Sequence, residues 1–171
     1  IIQDSINSAV SYIEDQTHRD FASTTATKYY LENSIDHYNS SILYLDDDLV
    51  SITTLTNGDA SDTVIAASDY VLEPRNDGPP YHAIRLLTNS GTVWEFDVDE
   101  WVEVAGSWGY SSAPPEDIKE ATRQLSAYFY KRKDSQIFDT TAIPEAGVIT
   151  IPAGIPASVT RIIQKYRKYI R

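Results

Sequence analysis

The sequence predicts an α+β protein: a helical core with an inserted antiparallel β-sandwich or barrel-like domain, then an arm and a C-terminal amphipathic helix. Three observations carry this. Apolar side chains recur at helical period near residues 1–16 and 115–133. Residues 25–110 between them are a series of short runs rich in β-branched and aromatic residues, separated by turn signals. The last stretch, from about Ala157 to Arg171, returns to helical period behind two prolines. The division expected is 1–24 with 111–134 as helical core, 25–110 as the inserted β domain, and 135–171 as C-terminal arm and helix.

In the first helix Ile2, Ile6, Ala9, Val10 and Ile13 form one apolar stripe, and "DQTHRDF" ends it. Eight β-type runs follow: "TKYYLEN", "SILYL", "LVSITTLT", "TVIAA", "YVLEP", "AIRLL", "TVWEFDV" and "WVEVAGSWGY". Asn57-Gly58, the stretch from Asn76 to Pro80, and Asn89-Ser90-Gly91 read as turns between them. Gly106 and Gly109 bracket Trp108, which lets the backbone bulge or turn where a bulky ring must be buried. Pro114 and Pro115 then stiffen the entry to a second helix, since a proline at the first helical position loses no hydrogen bond. Glu116 and Asp117 suit that helix's N-terminus and Lys131, Arg132 and Lys133 its C-terminus, with Ile118, Thr122, Leu125 and Phe129 as its apolar stripe. Further on, "GVITIP" reads as a short strand or an extended arm, and Pro152 and Pro156 bracket a stiff link.

A chain of 171 residues with 42% apolar content holds one domain, or one domain with a smaller element, and buries a core without staples. The absence of cysteine removes disulfides and thiolate metal sites. Methionine is absent too, even at the first position, and the chain opens inside a helical pattern, so a preceding N-terminal segment is expected. No run approaches the ~18 apolar residues of a membrane span and nothing resembles a signal peptide, which points to the cytoplasm or an assembly built there. Charge is split: residues 1–114 carry 4 Lys/Arg against 19 Asp/Glu, and residues 115–171 carry 10 against 6. An acidic body does not grip nucleic acid, but it lets DNA pass without sticking.

Candidate chemistry is sparse. His18, His37 and His82 are scattered, with no metal-ligand spacing, no nucleophile elbow and no phosphate loop. Nothing selects an acid–base pair among the 25 carboxylates, so the chain reads as non-enzymatic, without catalytic residues, metal or cofactor. Asp46, Asp47 and Asp48 in "LDDDL" read as a solvated turn; a calcium loop is the alternative, but the alternating spacing is missing. The 12 Tyr, 3 Trp and 4 Phe read mainly as core, since alternation turns about half of strand aromatics inward; exposed, they would suit a carbohydrate- or peptide-binding β module of a phage or bacterial surface protein. The C-terminal helix leaves two readings open. It is an ordinary docking helix, or a peg for a partner's groove, with Ile162, Ile163, Tyr166 and Ile170 as anchors beside Tyr169, and Arg161, Lys165 and Arg167 around them.

At "SITTLTNGD", "SDYVLEPRNDGPPYHAIRLL" and above all "VEVAGSWGYSSAPPEDIKEATRQLSAYFYKRKDS" the sequence resembles the head–tail connector (adaptor) proteins of tailed double-stranded-DNA bacteriophages. The likeness covers roughly residues 1–134, and nothing beyond Asp134 matches a motif of the family. It implies a structural virion protein with a helical connector core, working at the head–tail interface and assembled in the host cytoplasm. About twelve copies would form a ring under the portal protein, joined head to tail, with the next connector or tail-completion protein below and DNA leaving through the lumen. Under that resemblance Gly106, Trp108, Gly109, Pro114 and Pro115 would fix the angle between sheet and helix. The resemblance does not reach 157–171; from its proline-flanked position, apolar stripe and surrounding cations this peg is expected to leave its own subunit's core for the portal, with Arg161, Ile162, Ile163, Lys165, Tyr166, Arg167, Tyr169 and Ile170 in contact.

Overall fold

A computed structural model describes residues 2–134, 140–143, 147–150 and 154–168. The element order is α1 (Ile2–Thr17), β1 (Thr24–Tyr30), β2 (Ile42–Thr56), β3 (Tyr70–Glu73), β4 (Tyr81–Leu86), β5 (Val102–Trp108), α2 (Glu116–Asp134), β6 (Thr140–Ile143), β7 (Gly147–Thr150) and α3 (Ala157–Tyr166). The chain divides into two compact units, Asp20–Ala113 and a helical unit of Ile1–Arg19 with Pro114–Arg171.

The β unit is a five-stranded antiparallel sheet in the order β1-β5-β2-β4-β3. It is open, with β1 and β3 as edges, so the sandwich or barrel expected from eight runs is corrected to one sheet. The eight runs become five strands for identifiable reasons. "SILYL" and "LVSITTLT" are one strand, β2, which passes through "LDDDL" without turning back. Leu49 is where it changes partner, pairing with Tyr81 of β4 on one side and Trp108 of β5 on the other, with register shifts around it. Such bulges bend a strand and let one long element serve two neighbours. "TVIAA" contributes a single bridge, Thr56 with Val64, and buries Ile65. "TVWEFDV" lies against the core with Trp94 and Phe96 half-buried, and Trp94 Nε1 donates to the Ser41 carbonyl at 3.1 Å.

Asn57-Gly58 is a close backbone crossing instead of a hairpin turn. Asn57 is buried; its Nδ2 donates to the Val93 carbonyl at 2.9 Å and its Oδ1 accepts from the Glu95 amide at 3.0 Å. A Cβ on Gly58 would stand 2.6 Å from the Glu95 carbonyl oxygen, so only glycine admits the crossing. The two other turn readings hold, between β3 and β4 and at Gly91, where φ is +74°.

The β core is the inner face of the sheet: Tyr30, Leu43, Leu45, Leu49, Leu55, Ile65, Ile84, Leu86, Val102, Val104 and Trp108. β5, between β1 and β2, alternates buried and half-buried residues from Val102 to Trp108, as a strand packed on one face must. The helical unit has its own core. Ala9 and Ile13 of α1, Ile118, Ala121, Leu125 and Tyr128 of α2, and Val159, Ile163 and Tyr166 of α3 are buried. Both predicted stripes are offset from the buried faces. α1 buries Ser5, Ala9, Ile13 and Thr17 while Ile2, Ile6 and Val10 stay exposed; Thr17 tolerates burial because its Oγ1 donates to the Ile13 carbonyl at 2.7 Å. In α2 the small Ala121 and the amphipathic Tyr128 face inward, Thr122 bonds the Ile118 carbonyl, and Phe129 meets Tyr12 edge-on at 6.3 Å. β6 and β7 pair antiparallel, so the "GVIT" run is a strand; Pro152 lies outside the described residues.

Candidate assembly surfaces

Gly106, Trp108 and Gly109 come together at the end of β5. Trp108 is 3% exposed, its indole N–H donates to the Ala26 carbonyl at 3.0 Å, and its ring stacks on Tyr30 at 6.4 Å. The Lys28 ammonium sits 4.7 Å from the ring centroid and pairs with Asp47. Gly106 faces the bulged part of β2, where a Cβ would come within 2.2 Å of the Ser51 carbonyl oxygen. Gly109 has φ +141° and runs beside Ala22, and its amide donates to the Asp48 carbonyl at 2.8 Å. So the ring is clamped by β1 on one side, and the glycines let two other backbones approach it. Pro114 and Pro115 open the second segment of the helical unit. α2 begins at Glu116, and Pro115 is the residue before the helix, whose carbonyl accepts the Lys119 amide at 3.0 Å.

The acidic run differs from its sequence reading. Asp46–Asp48 lie inside β2, and Asp48 is 5% exposed, so the solvated turn is corrected. Among the described residues no group of three or more His, Cys, Asp or Glu is placed to hold a metal ion. The neighbouring Tyr30 hydroxyl is buried and makes no well-formed hydrogen bond, the Asp46 backbone being its nearest polar contact. Its pKa is pushed up, first by burial and then by the Asp46 and Asp47 carboxylates.

α3 is seated on its own subunit's helices, which corrects the expectation that it leaves them. Val159, Ile163 and Tyr166 are buried, and Ile162 is half-buried. Pro156 caps the helix with its carbonyl, and Ser158 Oγ donates to Gln124 at 2.7 Å. The key anchor is Asp117, which sequence reasoning treated only as a helix-dipole residue. Its carboxylate accepts the Lys165 ammonium and the Tyr166 hydroxyl, both at 2.7 Å. Burial alone would raise the Asp117 pKa, but these hydrogen bonds outweigh it and hold the carboxyl below its ordinary value. The bond to Asp117, and after it one that Lys165 donates to the Tyr166 hydroxyl at 3.2 Å, raise Lys165 to about 12. At the far end Arg19 Nε donates to the Tyr166 carbonyl and the Lys168 amide to the Thr17 carbonyl, at 2.7 and 2.8 Å. Of the eight expected partner-facing residues, Ile163, Lys165 and Tyr166 are thus used internally, Ile162 is half-buried, and Tyr169 and Ile170 lie outside the described residues. Arg161 and Arg167 remain exposed, without a side-chain partner among the described residues.

The helical unit also has an open cleft of about 500 Å³ lined by Asp4, Ser8, Tyr12, Asp15 and Phe129 among others. Its lining combines two carboxylates and three serines with two aromatic rings. No helix among the described residues is long and apolar enough to cross a membrane.

No family model and no curated protein matches the chain. Solved structures do. A chain from the neck of an empty GTA particle, computed with C6 symmetry, is similar at TM-score 0.64 and 18% identity, covering 99% of this chain and 79% of that one. A chain from the neck of a native GTA particle, computed with C12 symmetry, gives 0.60 and 18%, covering 99% and 83%. A chain from the virion of a native gene transfer agent (GTA) particle gives 0.61 and 19%, covering 99% and 78%. Over nearly its whole length, then, this chain shares a fold with components of gene transfer agent particles, a likeness consistent with the head–tail connector family that its sequence resembles.

Proposed function

We propose that the chain is a structural virion protein of the head–tail interface. It forms a ring of about twelve copies beneath the portal protein, meets the next connector or tail-completion protein below, and leaves a lumen for DNA. The observation that carries this reading is the chain-long likeness to neck subunits from particles computed with C6 and C12 symmetry. Composition supports it. The β unit has 16 Asp/Glu against 3 Lys/Arg, a surface that DNA slides past and does not grip. The portal contact belongs to the outer side of α3, where Arg161 and Arg167 are exposed. Negative-stain imaging and native mass measurement of the purified chain test the ring, and mixing with portal-bearing heads tests the docking. A chain that stays monomeric in both refutes the proposal. Arg161→Glu with Arg167→Glu should keep the ring and lose the heads; unchanged head binding refutes the α3 contact.

A further inference from the structure

The outward face at one end of the β unit carries large apolar side chains in the open. β1 and β5 pair up to the rung of Tyr30 with Val102, both buried. By alternation Tyr29 points to the other face, and past the last rung Leu31 and Trp101 continue it. These three are 57%, 43% and 42% exposed, and Val98, three residues before Trp101, is 89% exposed. Glu103 is the rung partner of Tyr29, and Asp99 and Glu100 precede Trp101 directly in sequence; their carboxylates have no partner among the described residues. An aromatic and aliphatic centre inside a charged rim is the anatomy of a protein interface.

The same chain carries a surface of opposite charge. On the outer side of α2, Arg123, Ala127, Tyr130 and Lys131 are exposed at i, i+4, i+7 and i+8, which places them on one helical face. Tyr130 is 39% exposed, Lys131 has no partner among the described residues, and Arg123 holds only a surface pair with Glu120 at 3.0 Å. A small residue between an aromatic and two cations leaves room for a bulky ring from the acidic side.

We infer that the Trp101 patch of one copy receives the outer face of α2 of a second copy. The two surfaces are different, so the contact is heterologous and propagates from subunit to subunit, as a closing ring requires. This inference rests on the ring reading above and names the surfaces that build it. Charge complementarity fixes the partner: the β unit carries a net −13 and the helical unit a net +2, so like units repel and unlike units attract.

The test is a charge swap on the full chain, read by sedimentation velocity at low ionic strength. Asp99→Lys with Glu103→Lys makes one variant, and Arg123→Glu with Lys131→Glu the other. All four positions are exposed or half-exposed; Asp99 sits at φ +64° and Arg123 pairs with Glu120 on the surface, so both variants should stay folded with only a slightly lowered melting temperature. Each variant alone should lose the ring, and an equimolar mixture should restore it, because acidic and basic faces then alternate. Trp101→Ala should weaken self-association about 30-fold, as loss of an interface anchor does. Variants that assemble like the parent, or a mixture that stays dissociated, overturn this pairing and leave the ring standing. Variants that self-assemble normally but fail to enter particles assign the patch to another neck protein and overturn it equally. A parent chain that never associates overturns the ring, and this interface with it.

Discussion

Replacing Trp108 with alanine should be the most damaging single change in the β unit. The side chain is 97% removed from solvent and sits in the sheet core. Truncating a buried aromatic to alanine costs about 3–5 kcal/mol, part lost transfer energy and part cavity. Two terms push toward the upper end: the stacked pair with Tyr30, about 0.5–1.5 kcal/mol, and the Lys28 ammonium over the ring, about 0.5–1 kcal/mol. The lost indole hydrogen bond adds little, because Ala26 lies on an exposed edge strand where water can take over its carbonyl. Trp108→Phe keeps most of the apolar area and should lose about 1–2 kcal/mol. In urea unfolding, with a slope of about 2 kcal/mol/M, the alanine midpoint should fall by about 2 M. A Trp108→Ala protein within about 1 kcal/mol of the parent refutes the clamp.

Three further changes separate backbone, polar and electrostatic effects. Gly106→Ala should destabilise by about 2 kcal/mol or more, since its Cβ meets a backbone oxygen that cannot swing away; a neutral melting temperature shows that the β2 bulge yields. Tyr30→Phe removes a buried hydroxyl that makes no well-formed hydrogen bond and meets only the Asp46 backbone, so it should change stability by no more than about 1 kcal/mol; a larger loss in urea refutes this. The seating of α3 should respond to pH at both ends. Asp117 has a lowered folded pKa, so its contribution is present above the ordinary aspartate value of about 3.9 and is lost as pH falls through the folded value. Lys165 has a raised one, so its contribution is complete below the ordinary lysine value of about 10.4 and is lost as pH rises through about 12. Methyl NMR signals of Val159 and Ile163 should hold steady between and shift outside, and Asp117→Asn should abolish the acid limb; a flat profile at both ends refutes the anchor.

The sequence made elements legible wherever local pattern and burial agree. α1, α2, β4, β5 and the helix from Ala157 fall on the predicted runs because each buries part of its surface, although in α1 and α2 the buried face is offset from the predicted stripe; β3, half-buried throughout, was legible from its β-rich composition. Trp108 was legible as a core anchor because two glycines stand beside a ring that needs close backbones. What failed was partnership. Three acids look like a turn, yet bulges let β2 run through them, and period cannot show that a strand changes neighbours at Leu49. "TVWEFDV" has strand composition, but Asn57 holds that segment by side-chain bonds in place of a ladder. Asp117 was seen and misread: first-turn acids suit any helix, and its service to Lys165 and Tyr166 depends on a residue 48 positions away.

The seating of α3 changes what kind of portal contact it can make. An apolar stripe at a chain end states that something covers it, and says nothing of whether the cover is internal. Here Val159, Ile163 and Tyr166 are covered by the helical unit itself, with Asp117 and Arg19 closing the two ends of the contact. What α3 presents outward among the described residues is cationic, from Arg161 to Arg167. A partner met through such a face is met through rim charges, which govern encounter rate and salt dependence, while buried apolar anchors govern residence. A portal contact through this helix is therefore fast to form and salt-sensitive, and on its own it is short-lived. Lasting attachment then comes from multiplicity: when one subunit's contact opens, a closed ring holds the others in place, and the effective concentration for rebinding stays high. Under the proposed function, ring closure and portal docking are in that sense one problem, and the charge swap on Asp99, Glu103, Arg123 and Lys131 should loosen both together.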